Sequence, residues 1–500
     1  MEQLSADLLR ARLYNTGTGK SEIMAVLPER VLQFGTGVLL RALPDYFIDK
    51  ANHTGIFNGS ILVVKTTGDA IDSAFIKQNN LYTVAVRGYE NGVEYVENRI
   101  NESISRVLHA SQSWPLILAA VHNKDLGIII SNTTEKGIRY QAESILANPP
   151  ESFPGKLLAL LFERFNAFGG TIDSGMVILP TELIPDNGSQ LKAIVMQLSI
   201  ENKLGDLFIG WLSYHNTFCN TLVDRMVPGK PSEIQAAELE NELGYKDNLL
   251  CLAEPYCLWA IEGGKDVAAK LSFQLSDQRM VISPNIALFR ELKLRLLNGT
   301  HSLSCGAAVL AGIETVSDAV ADPLFAGFIK KLIIDELSPA IPFHIDQEII
   351  LKFGLQVLDR FRNTAVSHYW LKICTDYTRK LRIRVVPVLL ESFKLNLPIP
   401  AAISLGFAAY IVFMNSRLDQ GIYWGKTAFA EYQLEDEFSG LMHTLWQETS
   451  VDMLASSVLS NIQLWNVNLN ELPCFSQTVQ TYLNLIKDHG IVAAISKSLS

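Results

Sequence analysis

The stretch RVLQFGTGVLLR, residues 30–41, decides the fold. A short apolar strand, RVLQF, runs into a glycine pair and then into leucines at helical spacing. Strand, tight turn and helix in that order set free N–H groups and a positive dipole end at the carboxyl edge of a strand. Gly35 permits the turn, and Gly37 lets a pyrophosphate approach the backbone. On this reading Phe34, Gly35, Thr36, Gly37, Val38 and Leu39 hold a dinucleotide. Leu40 stands where the usual fingerprint has its third glycine, so a plain strand–turn–helix satisfies the same residues.

Working outward, GTGVLLRALPDYF (35–47) keeps helical spacing, and ILVVK (61–65) reads as a second strand rich in β-branched residues. LGIIIS (126–131) and GMVILP (175–180) are further strands. Between them lies an amphipathic helix, GKLLALLFERFNAF (155–168), introduced by the loop NPPESFP. Strands alternating with helices predict a parallel sheet with crossover helices. YTVAVRGY and EYVENRI read as an inserted hairpin with its turn at Asn91-Gly92.

The second strand ends at Lys65-Thr66-Thr67, where an acidic residue would grip the ribose hydroxyls of NAD. None stands there, and Asp69 lies further along, so these residues leave NAD and NADP open. Thr66 remains a cofactor candidate. The third strand ends in SNTTEKG (131–137), which offers Asn132, Thr133 and Glu135 to the same crevice. An ordinary helix cap at Asn132 or Thr134 explains those small polar residues equally well.

After about Pro284 the pattern changes. Period-3.6 apolar spacing dominates, and strand-like alternation vanishes. The expectation is an α/β Rossmann-type N-terminal domain with insertions, residues 1–284, followed by an all-α C-terminal domain, residues 285–500. A chain of 500 residues is too long for one compact core. Its net charge of −10 argues against nucleic-acid and anionic-membrane partners, leaving a small molecule as the expected ligand. MEQLSADLLRARLY has no apolar run and no cleavage site, and IPAAISLGFAAYIVFM (399–414) is too short and interrupted to span a bilayer. Six scattered cysteines without a CxxC pair fit small buried hydrophobes in a reducing cytosol. We therefore expect a cytoplasmic protein, a monomer or small homo-oligomer, with no resident metal.

The chemistry points to LKLRLLNGTHSL, residues 292–303. At 100° per residue, Asn298 lies roughly 140° and His301 roughly 80° from Lys293, within one side of the helix. An amine, an amide and an imidazole gathered there suit carbonyl–alcohol interconversion. The lysine passes a proton to or from the reacting oxygen, while amide and imidazole stabilise its developing charge. A solvated lysine, an asparagine beside Gly299 and a satisfied core histidine account for the same three residues.

GTGVLLR, SNTTEKG, NTFCNTLVDRMVPG (216–229), LAEPYCLWAIEG (252–263) and KLRLLNGTHS (293–302) occur in an order that resembles the polyol-specific long-chain dehydrogenase family, over nearly the whole chain. K-x4-N-x2-H is its most specific mark. The resemblance implies a Rossmann domain followed by a helical domain, and NAD as cofactor. It gives Lys293 the role of catalytic acid/base and has Asn298 and His301 orient and polarise the substrate oxygen. LLFERFNAFGG (160–170), ILPTELIPDNG (178–188) and DRFRNTAVSH (359–368) resemble the members that reduce keto-uronates to aldonates. Glu182 falls where polyol-oxidising members carry an asparagine that helps hold the oxygen, so it becomes a fourth catalytic candidate. A carboxylate capping the following turn explains it too.

A uronate needs a cation for its carboxylate. TRKLRIRVV (378–386) offers Arg379, Lys380, Arg382 and Arg384, and DRFRN offers Arg360 and Arg362. Lys380 matches a lysine that the family places near substrate, and Arg362 joins it as a candidate. Asp224 and Arg225 sit in a motif shared across the family. Asp224 is suited to a sugar hydroxyl, although an internal Asp–Arg pair fits as well. Rival readings are a sister enzyme acting on fructuronate, a hexitol or a hexitol phosphate, and a catalytically silent nucleotide-binding scaffold.

Overall fold

The computed structural model describes residues 1–15, 27–68, 73–133, 137–365 and 367–500. The chain divides into two compact units, Met1–Arg87 with Tyr95–Ile286, and Gly88–Glu94 with Ala287–Ser500.

The first unit is built on a parallel sheet. Its strands are β1 (Glu29–Phe34) and β2 (Ser60–Lys65), then β5 (Ile104–His109) after a hairpin of β3 (Tyr82–Glu90) and β4 (Val93–Asn101). β6 (Ile128–Ser131), β7 (Val177–Pro180) and β8 (Thr217–Phe218) complete it, in the spatial order β5-β2-β1-β6-β7-β8. Each adjacent pair of strands in that sheet is parallel. Both faces are covered, so residues alternate between two cores rather than between core and water. Val31, Val63 and Ile130 enter one core, whereas Leu32, Phe34, Leu62, Val64 and Ile129 enter the other.

The predicted hairpin is present, and Asn91 (φ 54°) and Gly92 (φ 76°) adopt the left-handed pair its tight turn needs. The crossover helix Phe153–Phe168 is set by its ends. Ser152 Oγ accepts from the Gly155 amide, Pro154 fits the first turn, and Gly169 closes the helix at φ 63°. The helix after β1 is shorter than its spacing predicts: it runs Val38–Ala42, breaks at Leu43 and restarts as Pro44–His53. Pro44 has no amide proton to continue the first helix.

The second unit is helical, with one departure from the all-α expectation. Ser416–Asp419, Ile422–Lys426 and Glu431–Gln433 form a small antiparallel meander. The helix Ala401–Phe413 is buried nearly all round, as its uniform apolarity requires. Its first turn is held by Glu336, whose carboxylate accepts from the Ala402 and Ile403 amides at 2.9 and 2.8 Å. No helix among the described residues is long and apolar enough to cross a membrane. Cys474 is exposed, unlike the other five cysteines, which are buried as predicted.

Candidate active site

The first unit presents a crevice of the kind that binds dinucleotides. Strand order reverses between β1 and β6, so the connections leaving their carboxyl ends diverge and open a gap. One wall is the turn after Phe34. Gly35 sits at φ 121°, and a Cβ there would lie 2.8 Å from Leu40 Cδ1 and 3.1 Å from the Asn132 carbonyl oxygen. Leu40, the departure from the fingerprint, is thus the side chain that packs over Gly35. A Cβ on Gly37 would meet nothing within 4 Å, so backbone there is open to a bulky group. Thr36 is tied back through its carbonyl, which accepts from Arg41 Nε at 3.2 Å. Val38 and Leu39 pack against the core.

The other wall is the end of β6. Asn132 Nδ2 donates to the carbonyl and hydroxyl oxygens of Thr181 at 3.1 and 3.0 Å. Thr133 is held by Glu182, whose Oε1 accepts from its amide and its hydroxyl at 2.9 Å each. Glu182 Oε2 accepts from Ser131 Oγ at 3.1 Å. Burial raises the Glu182 pKa, and these hydrogen bonds oppose the rise. Glu182 therefore clamps the loop at Ser131–Thr133, which favours its capping role over direct work on substrate. Thr66 is half-buried past the end of β2. Asp69, Thr134 and Glu135 lie outside the described residues.

Asp224 ends a buried strand, Thr221–Asp224, antiparallel to Leu258–Glu262. Arg225 braces the fold. Its Nε donates to the Glu254 carbonyl at 3.0 Å, its Nη1 donates to the Ala42 carbonyl, and its guanidinium lies 4.7 Å from the Tyr46 ring centroid. Those contacts commit most of the side chain that the sequence offers to substrate.

In the second unit, Lys293, Asn298 and His301 lie on a continuous rod: α-helix Ala287–Leu292, π-helical turn Lys293–Leu297, α-helix Asn298–Leu310. The turn corrects the angles read from the sequence. A π turn carries one residue more than an α turn and closes with i→i−5 bonds; the Asn298 amide accordingly reaches the Lys293 and Leu294 carbonyls. Discounting that residue, the three fall at positions i, i+4 and i+7 of a regular helix. Asn298 and His301 then lie roughly 40° and 20° to either side of Lys293, tighter than unbroken α-helical counting gives. Buried Arg295 secures the turn: its Nε donates to Glu291 at 2.8 Å and its Nη1 to the Arg384 carbonyl at 3.1 Å.

Lys293 and Asn298 are half-buried, whereas His301 is buried. The His301 ring stacks on Phe361 at 4.4 Å and meets His368 edge-on at 4.9 Å. Its Nε2 is shut from solvent without a hydrogen-bond partner, as is Nε1 of the adjoining Trp370. A buried polar atom without a partner is costly, and here it marks where a ligand's oxygen would be welcome. Burial, then the basic groups of His368, Arg384, Arg360 and Lys380 around it, push the His301 pKa well below its usual value. His301 is neutral at physiological pH, suited to donating or accepting a hydrogen bond rather than to acting as an acid. His368, Phe361 and Trp370 belong to this environment, yet no spacing in the sequence singled them out.

The basic candidates separate clearly. Lys380 Nζ donates to the Ile373 carbonyl at 3.0 Å, and burial followed by the nearby Arg384 lowers its pKa. Arg362 is exposed, 3.7 Å from Asp359. Arg382 bonds to the Gln463 carbonyl and lies 3.8 Å from Glu437.

Two family models match the chain, one for each half. Residues 29–275 match the mannitol dehydrogenase Rossmann domain, and residues 285–487 match the mannitol dehydrogenase C-terminal domain. An altronate oxidoreductase of Pectobacterium carotovorum is 35% identical over 479 residues, 94% of this chain and 96% of its own. One of Klebsiella pneumoniae is 35% identical, covering 94% and 97%. Among solved structures, a D-sorbitol dehydrogenase in substrate-free form superposes with a TM-score of 0.73 at 20% identity, covering 94% of this chain and 95% of its own. Pseudomonas fluorescens mannitol 2-dehydrogenase, in a ternary complex with NAD and D-mannitol, gives 0.63 at 20% identity, covering 94% of each chain. Both halves matched in order, with such relatives along nearly the full length, establish that the chain belongs to the mannitol dehydrogenase family.

Proposed function

We propose that the protein reduces D-tagaturonate to D-altronate with NADH, reversibly. The observation that carries the chemistry is the alignment of Lys293, Asn298 and His301 along one side of the rod, with His301 held neutral. Such a set suits an oxidoreductase acting on CH–OH groups. The carbonyl oxygen gains negative charge as the ketone is reduced. Lys293 Nζ delivers the proton to it, while the Asn298 amide and the His301 ring hydrogen-bond it. Being neutral, His301 polarises the oxygen without competing with Lys293 as proton donor.

The turn at Gly35, the open backbone at Gly37 and the loop clamped by Glu182 suit a dinucleotide, with Thr36, Val38, Leu39, Thr66, Asn132 and Thr133 beside it. NADH supplies the hydride when bound. The keto-uronate substrate is supported by the altronate oxidoreductases to which the chain is 35% identical. The test is NADH oxidation with D-tagaturonate, D-fructuronate and D-tagatose in parallel. Turnover concentrated on tagaturonate supports the reading; preference for either of the others discards that substrate.

A further inference from the structure

The last residue of the helix Tyr377–Arg384 stands apart from every other basic candidate of its segment. Arg379 is exposed, Arg382 has an acidic neighbour and Lys380 is bound to a carbonyl. Arg384 is half-buried, and among the described residues no carboxylate lies within ion-pair distance of it. Its Nη1 donates to Ser302 Oγ at 3.0 Å and to the Asn298 carbonyl at 3.3 Å. Those two acceptors lie on the catalytic rod, one beside His301 in sequence and the other a catalytic candidate itself. Nε and Nη2 donate to no other described residue, so one edge of the guanidinium is uncommitted.

The surroundings sharpen the anomaly. The titratable groups acting on His301 are His368, Arg384, Arg360 and Lys380, all basic and none a carboxylate. Burial lowers the Arg384 pKa to about 10, so it still carries its charge at neutral pH. A desolvated cation without a counter-ion is unfavourable unless an anion arrives to pair with it. A planar fork with one open edge fits a carboxylate in particular, through two parallel N–H···O bonds.

We propose that Arg384 is the receptor for the substrate's carboxylate and the residue that selects keto acids over neutral ketoses. The inference rests on the keto-uronate reading above. Arg384 reaches the carboxylate through Nε and Nη2 while Nη1 stays on Ser302 and Asn298. The same side chain thereby fixes the substrate's charged end relative to the helix that carries out proton transfer.

The test uses the full chain with NADH and compares wild type, Arg384→Gln and Arg384→Lys on D-tagaturonate and on D-tagatose. Arg384→Gln is expected to raise the tagaturonate KM by about 10- to 100-fold with a much smaller fall in kcat, and to cut the preference for tagaturonate over tagatose by a similar factor. Arg384→Lys, which keeps the charge and loses the fork, should recover part of both. NADH affinity and melting temperature, measured on each variant, separate loss of recognition from loss of fold. An equal fall in kcat on both substrates with KM unchanged would overturn the proposal and leave Arg384 as a support for Asn298. A wild type that turns over tagatose as well as tagaturonate would overturn the keto-uronate reading itself, before any variant is made.

Discussion

Glu182 holds Thr133 twice: one carboxylate oxygen accepts both its amide and its hydroxyl at 2.9 Å. The clamp fixes the loop after β6 at the point where the sheet's strand order reverses. Glu182→Gln keeps an acceptor in place and should preserve NADH affinity and turnover within a few-fold. Glu182→Ala removes the acceptor from a buried amide and hydroxyl, costing about 1–3 kcal/mol in stability, and should weaken NADH binding. Titration of NADH fluorescence with both variants checks this. A turnover lost in Glu182→Gln with NADH binding intact would return the residue to direct contact with substrate.

If the amine acts on the reacting oxygen as proposed, Lys293→Ala should lower kcat by about 10²- to 10⁴-fold while NADH affinity stays near that of wild type. Added small primary amines should restore part of the rate. Stopped-flow absorbance of NADH measures both effects. Undiminished turnover in the variant would mean that the proton comes from elsewhere.

The environment of His301 predicts a dependence of stability on acid. His368 has its pKa lowered to about 4, by burial first and by Arg360 and Lys380 after it. Its folded pKa lies below its unfolded one, so the unfolded chain binds the proton more readily. Stability associated with neutral His368 is therefore present above the unfolded pKa and is lost as pH falls from about 6.5 toward 4, by on the order of 2–3 kcal/mol. Glu336, raised to about 7 chiefly by burial, works in the opposite sense: its contribution is present in acid and is lost as pH rises through 7. Melting curves of wild type and His368→Asn between pH 4 and 7.5 isolate the histidine. The gap between them should narrow toward acid, and a constant gap would refute it.

Two helix glycines should respond oppositely to alanine. A Cβ on Gly406 would lie 2.6 Å from Leu303 Cδ2 and 3.0 Å from the Leu303 carbonyl oxygen, so the helices Ala401–Phe413 and Asn298–Leu310 touch there at backbone distance. Gly406→Ala should destabilise by about 1–3 kcal/mol through overpacking. A Cβ on Gly299 would find its first neighbour at 3.7 Å, an ordinary contact. Gly299→Ala should therefore gain about 0.5–1 kcal/mol from helix propensity. Chemical denaturation of both variants gives the two signs directly.

The nucleotide half was legible because its signals are local. A short apolar run before a glycine pair marked β1, runs rich in β-branched residues marked β2, β6 and β7, and Asn91-Gly92 marked the hairpin. The candidate trio Lys293, Asn298 and His301 was legible as a motif, but its angular placement was not, since counting at 100° assumes α-helix throughout and Lys293–Leu297 is not α. The meander at Ser416–Gln433 escaped because its strands are short and largely exposed, leaving little apolar alternation. Arg384 looked like one cation among six. What distinguishes it is a bond to the carbonyl of a residue 86 positions earlier, and no local pattern encodes such a partner.

The widened turn at Lys293–Leu297 also changes what sequence length means on this helix. Its surplus residue is absorbed as coiling and adds no reach, so amine and amide keep their places with five steps between them as they would with four. Spacing here is elastic while azimuth is fixed. Helices that spell this chemistry with K-x3-N would superpose their functional atoms on K-x4-N, and a search for the motif by letter count alone would pass them by.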